Sequence, residues 1–381
     1  MAHPLYLHVG PPRTGTTSVQ QLLWANRKNL RAEGICLPGR VRSLQFAAVT
    51  ELVYGANVPA GEQARDGSWA ELTDEILAHD GPGVISHERL AASDEPTITR
   101  ALDDFAGREV HVIYTIRDMI AITLSGYPGA LKRGSALTID EHVARAVSGV
   151  PEERVWNTRA GHALRRWGAV VPPERMHVVT VPSRTAPRTL LWERFCSVIG
   201  HDPSSGTMET TRTNESVGVV EADFLNRLNS LAGDDWTPEH QQFVRHVLTP
   251  RLLSQREGQR KIQLRDRKAR AALTRQTQAL ADEITERGFH VVGELSDLHV
   301  EVDPPQLDPN HDRVTEEEFA ELAMSCTRQL VQLVAAERAK TERAKAKNDR
   351  QQRLVEALKR AEGRWSPPRV RRLARRIAGR G

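Results

Sequence analysis

The sequence predicts an α/β protein in which a parallel sheet is flanked by helices and followed by an α-helical C-terminal extension. Two observations predict this fold class. Short apolar runs alternate with amphipathic stretches in the first half of the chain, and the later sequence has a mainly helical pattern. Because ligands bind at the carboxyl ends of parallel strands, we expect functional residues where the strands end.

Four apolar runs predict buried strands, and the stretches between and after them predict amphipathic helices. The strands are expected at Leu5–Val9, Gly83–Ser86, Val110–Ile116 and Met176–Val181. The helices are expected at Ser18–Leu30, Trp69–His79 and Glu95–Phe105, and a last one within Thr189–Pro203 that ends at Gly200. A further short strand or turn is expected at GFHVVGEL, near residue 290.

A change of composition near residue 303 predicts the domain organisation. Residues 303–314 are rich in proline and aspartate, so they are expected to link a domain of residues 1–302 to an extension of residues 315–381. The extension begins as a charged helix and ends in a basic amphipathic tail, Arg364–Gly381. Such a tail could lie on an anionic membrane surface or bind nucleic acid through phosphates, and the alternatives are a mobile, solubilising tail or a helix packed on a partner.

The overall composition excludes several classes of protein. Hydrophobic residues make up 39% of the chain and charged residues 27%, which is typical of a globular protein. The three cysteines lie far apart without metal-ligand spacing, so neither a disulfide framework nor a zinc site is expected. We find no secretory signal and no apolar run that could cross a bilayer, so a cytoplasmic location is expected, with peripheral membrane contact through the tail.

A glycine-rich turn connects the first strand to the first helix in the sequence HVGPPRTGTTS. Such a turn directs backbone N–H groups and the positive end of the helix dipole at an anion. Gly10 and Gly15 have the spacing of a Walker A loop, but Thr16 stands at the lysine position and Arg13 supplies a cation three residues earlier. The residues expected to bind the anion are Pro12, Arg13, Thr14, Gly15, Thr16 and Thr17.

The run from Arg13 to Thr17 resembles the 5′-phosphosulfate loop, Lys-x-Gly-Thr-Thr, of the sulfotransferases that use 3′-phosphoadenosine 5′-phosphosulfate (PAPS). The preceding HVGPP resembles the bacterial members of this family. The resemblance implies a three-layer, P-loop-like fold with PAPS as the sulfuryl donor. Arginine replaces the family's lysine, which keeps the charge but exchanges a compact ammonium group for a planar fork.

A second motif follows the third predicted strand. Arg117 ends this strand and Ser125 comes eight positions later, so the two residues can face one phosphate. This arrangement resembles the family's site for the 3′-phosphate of the donor. The alternatives are an Arg117 paired with Asp118 beside a serine on a solvated helix face, and a Walker B role for Asp118.

His87 and Glu88 directly follow the second predicted strand and are the candidate catalytic bases, together with Arg13 as the catalytic cation. A base that removes the proton of the acceptor contributes a factor of about 10²–10⁴ to the rate. Family members have a histidine here in some branches and a glutamate in others, and Ser-x-Glu resembles the bacterial pattern. Glu88 is therefore slightly preferred to His87, with helix capping as the alternative role of both.

The segment RTNESVG resembles the loop that closes over the donor in the same family, and its candidate phosphate contacts are Arg212, Asn214 and Ser216. A simple capping turn is the alternative. The resemblance, which spans residues Leu5–Leu298, implies transfer of a sulfuryl group from PAPS, without a metal, to a hydroxyl or an amine of a small-molecule or glycan acceptor. The alternative functions are a P-loop kinase or nucleotide triphosphatase, and a nucleotide-binding or scaffold protein without turnover.

Overall fold

The computed structural model describes residues 2–55, 57–58, 64–148, 160–183, 185–208, 217–233, 237–300, 303, 306, 308 and 310–362. The chain divides between residues 315 and 316 into two compact units. The predicted contacts Arg212, Asn214 and Ser216 lie outside the described residues, and so does the basic tail Arg364–Gly381.

A parallel sheet forms the centre of the first unit and confirms the predicted fold class. Its strands are β1 Pro4–His8, β2 Gly83–Ser86, β3 Glu109–Ile116, β4 Met176–Thr180 and β5 His290–Val292. Their order is β2-β1-β3-β4-β5, and every neighbouring pair is parallel. The ends of the four predicted strands lie within one residue of their expected positions, and GFHVVGEL contains β5.

Helices connect and cover these strands. They are α1 Thr16–Ala25, α2 Arg27–Ala32, α3 Arg42–Tyr54, α4 Ser68–Leu77, α5 Glu95–Asp104, α6 Met119–Leu131, α7 Ile139–Ser148, α8 Ala160–Val170, α9 Leu190–Ile199, α10 Val219–Ala232, α11 Pro238–Phe243, a π-helix Val244–Leu253 and α12 Arg267–Glu286. The expected single helix Ser18–Leu30 is wrong. Asn26 separates α1 from α2, and its side-chain amide makes two hydrogen bonds of 2.8 Å with the backbone of Thr207, a contact that no local pattern predicts.

Alternating side chains of the strands pack into two separate apolar layers. Leu5, Leu7 and Val112 face one layer, which includes residues of α3, α4, α5, α8 and α12. Val84 and Ile113 face the other layer, which includes residues of α1, α2 and α9. Because both faces are covered, the strands read as continuous apolar runs in the sequence.

The order of the strands locates the binding crevice. The chain leaves β1 to form β2 on one side and later forms β3 on the other side of β1. In open sheets of this kind, a crevice forms at the carboxyl ends of the two strands where the connections diverge, here β1 and β3. The loop with Arg13 follows β1, and Arg117 follows β3.

The described part of the second unit, residues 316–362, forms a single helix, α13, which spans the 47 residues Glu316–Glu362 and begins with three glutamates. It is the predicted helical extension. Every helix in the described part of the chain is too short or too polar to cross a lipid bilayer.

Candidate active site at the carboxyl edge of the sheet

The loop between β1 and α1 has a strained backbone at Arg13. Arg13 has a φ of +77° and is the only non-glycine residue with a positive φ in the described chain. Gly15, directly before α1, has a φ of +83°. A long side chain in this left-handed region costs on the order of 1 kcal/mol or more, and such strain is concentrated at functional sites.

A row of buried polar side chains holds this loop on the sheet. The Thr14 hydroxyl donates to the Pro11 carbonyl oxygen at 2.7 Å and lies 2.7 Å from Thr115 Oγ1 on β3. Thr115 Oγ1 lies 3.4 Å from Nε2 of His8 on β1, whose Nδ1 lies 2.7 Å from Ser86 Oγ on β2. The predicted ligand residue Thr14 therefore has its hydroxyl occupied by the loop, which leaves its backbone for a ligand.

His8 lies at the centre of this buried row, which joins three neighbouring strands. Burial, together with the nearby His87, lowers the pKa of His8 to about 3, although Glu88 acts in the opposite direction. His8 is therefore neutral at physiological pH and serves as a hydrogen-bonding group. Gly10 allows the loop to pass this close, because a Cβ on Gly10 would overlap Thr115 Oγ1 and lie 2.9 Å from His8 Nε2.

The Arg13 side chain reaches across to α6. A Cβ on the buried Gly129 of α6 would overlap Nη2 of Arg13, so the guanidinium lies directly over this glycine. Ser125 precedes Gly129 by one helical turn and shares its face of α6. The structure thus brings the first loop to the helix that contains the second motif.

Arg13 and Glu88 interact electrostatically. Desolvation by the surrounding protein lowers the pKa of Arg13, and the Glu88 carboxylate acts to raise it. The guanidinium keeps its charge, because the ordinary pKa of arginine is above 12. The first loop, the end of β2 and α6 are therefore parts of one charged site.

The second motif has more internal contacts than the sequence predicts. Asp118 Oδ1 accepts a hydrogen bond of 2.7 Å from the backbone of Ala121 and caps α6, and its other oxygen lies 3.9 Å from Nε of Arg117. The Ser125 hydroxyl donates to the Ala121 carbonyl oxygen at 2.6 Å. The Arg117–Asp118 contact is therefore present, and Ser125 must turn its hydroxyl to donate to a ligand.

The two candidate bases have different surroundings. His87 is buried, and its Nδ1 accepts a hydrogen bond of 3.1 Å from the backbone N–H of Arg89. Glu88 is only partly buried, and its Oε2 accepts a hydrogen bond of 2.8 Å from Gln20, whose own oxygen accepts one of 2.5 Å from Arg42. Glu88 is the residue whose charge acts on Arg13.

The environment of Glu88 keeps it ionised. Burial acts to raise the pKa of Glu88, but His87, the hydrogen bond from Gln20 and the charge of Arg42 outweigh it and lower the pKa below its usual value. A carboxylate with a lowered pKa is a weaker base. It can therefore take a proton readily only from a hydroxyl or an amine that is held close to it.

The remaining predicted residues line the start of α1. Pro12 and Gly15 are partly buried, Thr16 is buried, and Thr17 is exposed. Sequence reasoning missed His8, Thr115, Gln20, Arg42 and Gly129. His8 and Thr115 have a local signal, because each is a polar residue within an apolar strand; the others take part through contacts between distant segments. The residues that the structure describes contain no His, Cys, Asp or Glu group suited to a metal ion.

No protein-family model matches the chain, and neither does any curated protein. Among solved structures, the sulfotransferase domain from the Synechococcus PCC 7002 olefin synthase is similar, with 13% sequence identity and a TM-score of 0.32 over 66% of this chain and 90% of that domain. Similarity at this level does not assign a function.

Proposed function

We propose that this protein is a sulfotransferase that moves a sulfuryl group from PAPS to a hydroxyl, or to an amine, of a small-molecule or glycan acceptor. One observation supports this function above the others. The Arg13 guanidinium interacts with Glu88 after β2 and lies one helical turn from Ser125 on α6, so the elements after three adjacent strands meet at one edge of the sheet.

The donor is proposed to bind between the two motifs. The backbone N–H groups of Gly15, Thr16 and Thr17 are suited to the 5′-phosphate, because they lie at the start of α1. Arg117 and Ser125 are proposed to bind the 3′-phosphate, which distinguishes PAPS from ATP. Arg212, Asn214 and Ser216 remain proposed contacts that close over the donor.

The transfer requires one proton acceptor and one stabilised leaving group. The acceptor oxygen or nitrogen forms a bond to sulfur, and its proton passes to the Glu88 carboxylate. The bond from sulfur to the bridging oxygen breaks, and 3′,5′-diphosphoadenosine leaves with the electron pair of that bond. Arg13 is proposed to stabilise the negative charge that grows on this oxygen, and positioning by the loop supplies much of the remaining acceleration.

A nucleotide triphosphatase fits these residues less well. Thr16 occupies the position of the Walker A lysine and is buried. Asp118, the candidate for a Walker B aspartate, already caps α6 and lies beside Arg117. A magnesium ion at this carboxylate would meet a guanidinium at short range.

The proposed function is tested by ligand selectivity and by one substitution. Calorimetry should show binding of 3′,5′-diphosphoadenosine without magnesium and in preference to ATP. Incubation with PAPS and a cell extract should yield products that gain one sulfate in mass spectrometry. Glu88→Gln should lower the rate of transfer about 10²–10⁴-fold and leave the affinity for diphosphoadenosine unchanged. Magnesium-dependent binding that favours ATP would overturn the proposal.

A further inference from the structure

A buried glutamine from another segment holds Glu88. Gln20 lies on α1, and its Nε2 donates a hydrogen bond of 2.8 Å to Oε2 of Glu88. Its Oε1 accepts a hydrogen bond of 2.5 Å from Nη2 of Arg42, the first residue of α3. Two successive hydrogen bonds therefore connect α3, through α1, to the carboxylate that follows β2.

The two partners determine how the Gln20 amide is turned. A carboxylate only accepts hydrogen bonds, and a guanidinium only donates them. If the amide were turned over, its oxygen would face the Glu88 carboxylate and its NH₂ group would face the Arg42 guanidinium, so both hydrogen bonds would be lost. The folded protein therefore presents a donor of fixed orientation to one oxygen of Glu88.

The neutral amide of Gln20 contrasts with the other groups around Glu88. The charged or titratable side chains that interact electrostatically with this carboxylate are His87, Arg42, Arg13 and His8. A neutral donor can orient a carboxylate with a weaker hydrogen bond than an ammonium group would form, and so weakens the base less. A glutamine is therefore suited to hold a carboxylate that must still take a proton.

The helix that holds Glu88 also has the proposed 5′-phosphate contacts at its start. Thr16 begins α1 and Gln20 follows four residues later, so the two buried side chains share one face of the helix. Groups on a rigid helix keep their positions more precisely than groups on loops. One helix is thus suited to fix both the phosphate of the donor and, through Gln20, the base.

We propose that Gln20 is a positioning residue, which fixes the Glu88 carboxylate so that Oε1, the oxygen that the amide does not hold, takes the proton of the acceptor. His87 approaches the same oxygen as Gln20, since its Nδ1 lies 3.9 Å from Oε2 of Glu88. The role in proton transfer rests on the proposed function, whereas the orientation of Glu88 by Gln20 does not.

Gln20→Met removes the donor and keeps a side chain of similar length. The pKa of Glu88 is measured by NMR of labelled carboxyl carbons, with Glu88→Gln to assign the signal. The pKa should rise by about one unit, because the ionised carboxylate loses a hydrogen bond. Gln20→Asn, which keeps the amide but is too short to bridge both partners, should shift the pKa in the same direction and is the second variant.

The rate of transfer gives an independent measurement. With the cell extract as acceptor, incorporation of sulfate at saturating PAPS should fall about 10–100-fold in Gln20→Met, because the base is no longer held in place. The KM for PAPS should change less than twofold. The acidic limb of the pH–rate profile should move to higher pH together with the pKa of Glu88, a shift that a loss of stability alone does not produce.

Gln276→Met is the matched control. Gln276 on α12 donates hydrogen bonds of 3.1 Å and 3.4 Å to the backbone of Val147 and Ala146 on α7, so this substitution also removes an amide that joins two segments. The pKa of Glu88 and the acidic limb should stay unchanged in this variant.

The outcomes separate this inference from the proposed function. An unchanged pKa of Glu88 in both Gln20 variants would overturn the inference, as would an equal shift in Gln276→Met or an acidic limb that does not move. A raised pKa of Glu88 in a protein that transfers no sulfate from PAPS would refute the proposed function and leave Gln20 as the residue that orients Glu88.

Discussion

One row of polar side chains crosses the sheet near the carboxyl ends of the strands, here called the carboxyl edge, and another crosses it near their amino ends, the amino edge. The surroundings of the two rows differ. At the carboxyl edge, the row of Thr14, Thr115, His8 and Ser86 is buried. At the amino edge, His177 on β4 lies 2.9 Å from a ring nitrogen of His111 on β3 and 2.8 Å from one of His290 on β5. These three histidines are partly or fully exposed.

The two rows show how burial decides what a histidine contributes. Burial is the main cause that lowers the pKa of His8 to about 3 and of His177 to about 4, and His111 and His290 also lower the pKa of His177. Water can replace a lost partner at the amino edge, whereas a group removed from the carboxyl edge leaves a buried polar atom unpaired. Substitutions at the carboxyl edge should therefore cost more stability.

The largest effect is expected from Gly10→Ala, which breaks the row at the carboxyl edge. The added methyl group would overlap Thr115 Oγ1 and crowd Thr16 and His8, so the loop must move away from the sheet. We expect a loss of about 3 kcal/mol in the free energy of unfolding, at the upper end of the usual cost of overpacking, together with weaker binding of diphosphoadenosine. Urea unfolding and calorimetry measure the two effects.

Gly161→Ala is the matched control for this substitution. Gly161 lies in α8 without a positive φ, and a Cβ there would have its nearest neighbour at an ordinary 3.6 Å, so its stability should change little or rise by up to about 1 kcal/mol. If Gly10→Ala and Gly161→Ala unfold at the same urea concentration, the loop at Gly10 does not lie as close to the sheet as described.

The second largest effect concerns the pH dependence of the free energy of unfolding. His8 should contribute about 2 kcal/mol to this dependence, and His8→Gln should remove that contribution. The unfolded chain binds a proton at His8 below pH 6.5, whereas the folded protein does so only near pH 3. The contribution of neutral His8 to the free energy of unfolding is therefore complete above pH 6.5. It is lost as the pH falls towards 3, at about 1.4 kcal/mol per pH unit. When the pH is lowered from 6.5 to 5, the free energy of unfolding of His8→Gln should fall by about 2 kcal/mol less than that of the unmodified protein.

His177→Gln sharpens the comparison between the two edges. The pKa of His177 is also lowered, so its contribution has the same sign and is lost between pH 6.5 and about 4. The contribution should be smaller, because solvent reaches the row and screens its charges. An equal or larger effect of His177→Gln than of His8→Gln, in unfolding curves at several pH values, would reverse the comparison.

The smallest effect on stability is expected from Arg13→Gly, which releases the strained backbone at the carboxyl edge. Glycine adopts the φ of +77° without steric cost, so the free energy of unfolding should rise by about 1 kcal/mol while the affinity for diphosphoadenosine falls. The control is Thr17→Gly in the first turn of α1, which should lower stability by about 0.3 kcal/mol. A loss of stability in Arg13→Gly would show that residue 13 is not strained.

The sequence predicted the elements of the fold more closely than the contacts of the site. The strands from β1 to β4 are short apolar runs covered on both faces, so their pattern is local and their ends were placed within one residue. The break at Asn26 was missed, because it involves Thr207, which lies far away in the sequence. The choice between His87 and Glu88 remained open for a similar reason, since the hydrogen bond from Gln20 to Glu88 and the nearby charges of Arg42 and Arg13 arise only after folding.

The sequence alone determined that strands and helices alternate, that a glycine-rich turn follows the first strand, and that Glu88 and Arg117 lie at strand ends. These features depend on neighbouring residues, whose periodicity and turn chemistry act over a few positions. The tertiary structure decided that Arg13 lies over Gly129 beside Arg133, and that His8 joins three strands beneath the loop. Such contacts join segments roughly a hundred residues apart, and packing of the two apolar layers brings them together.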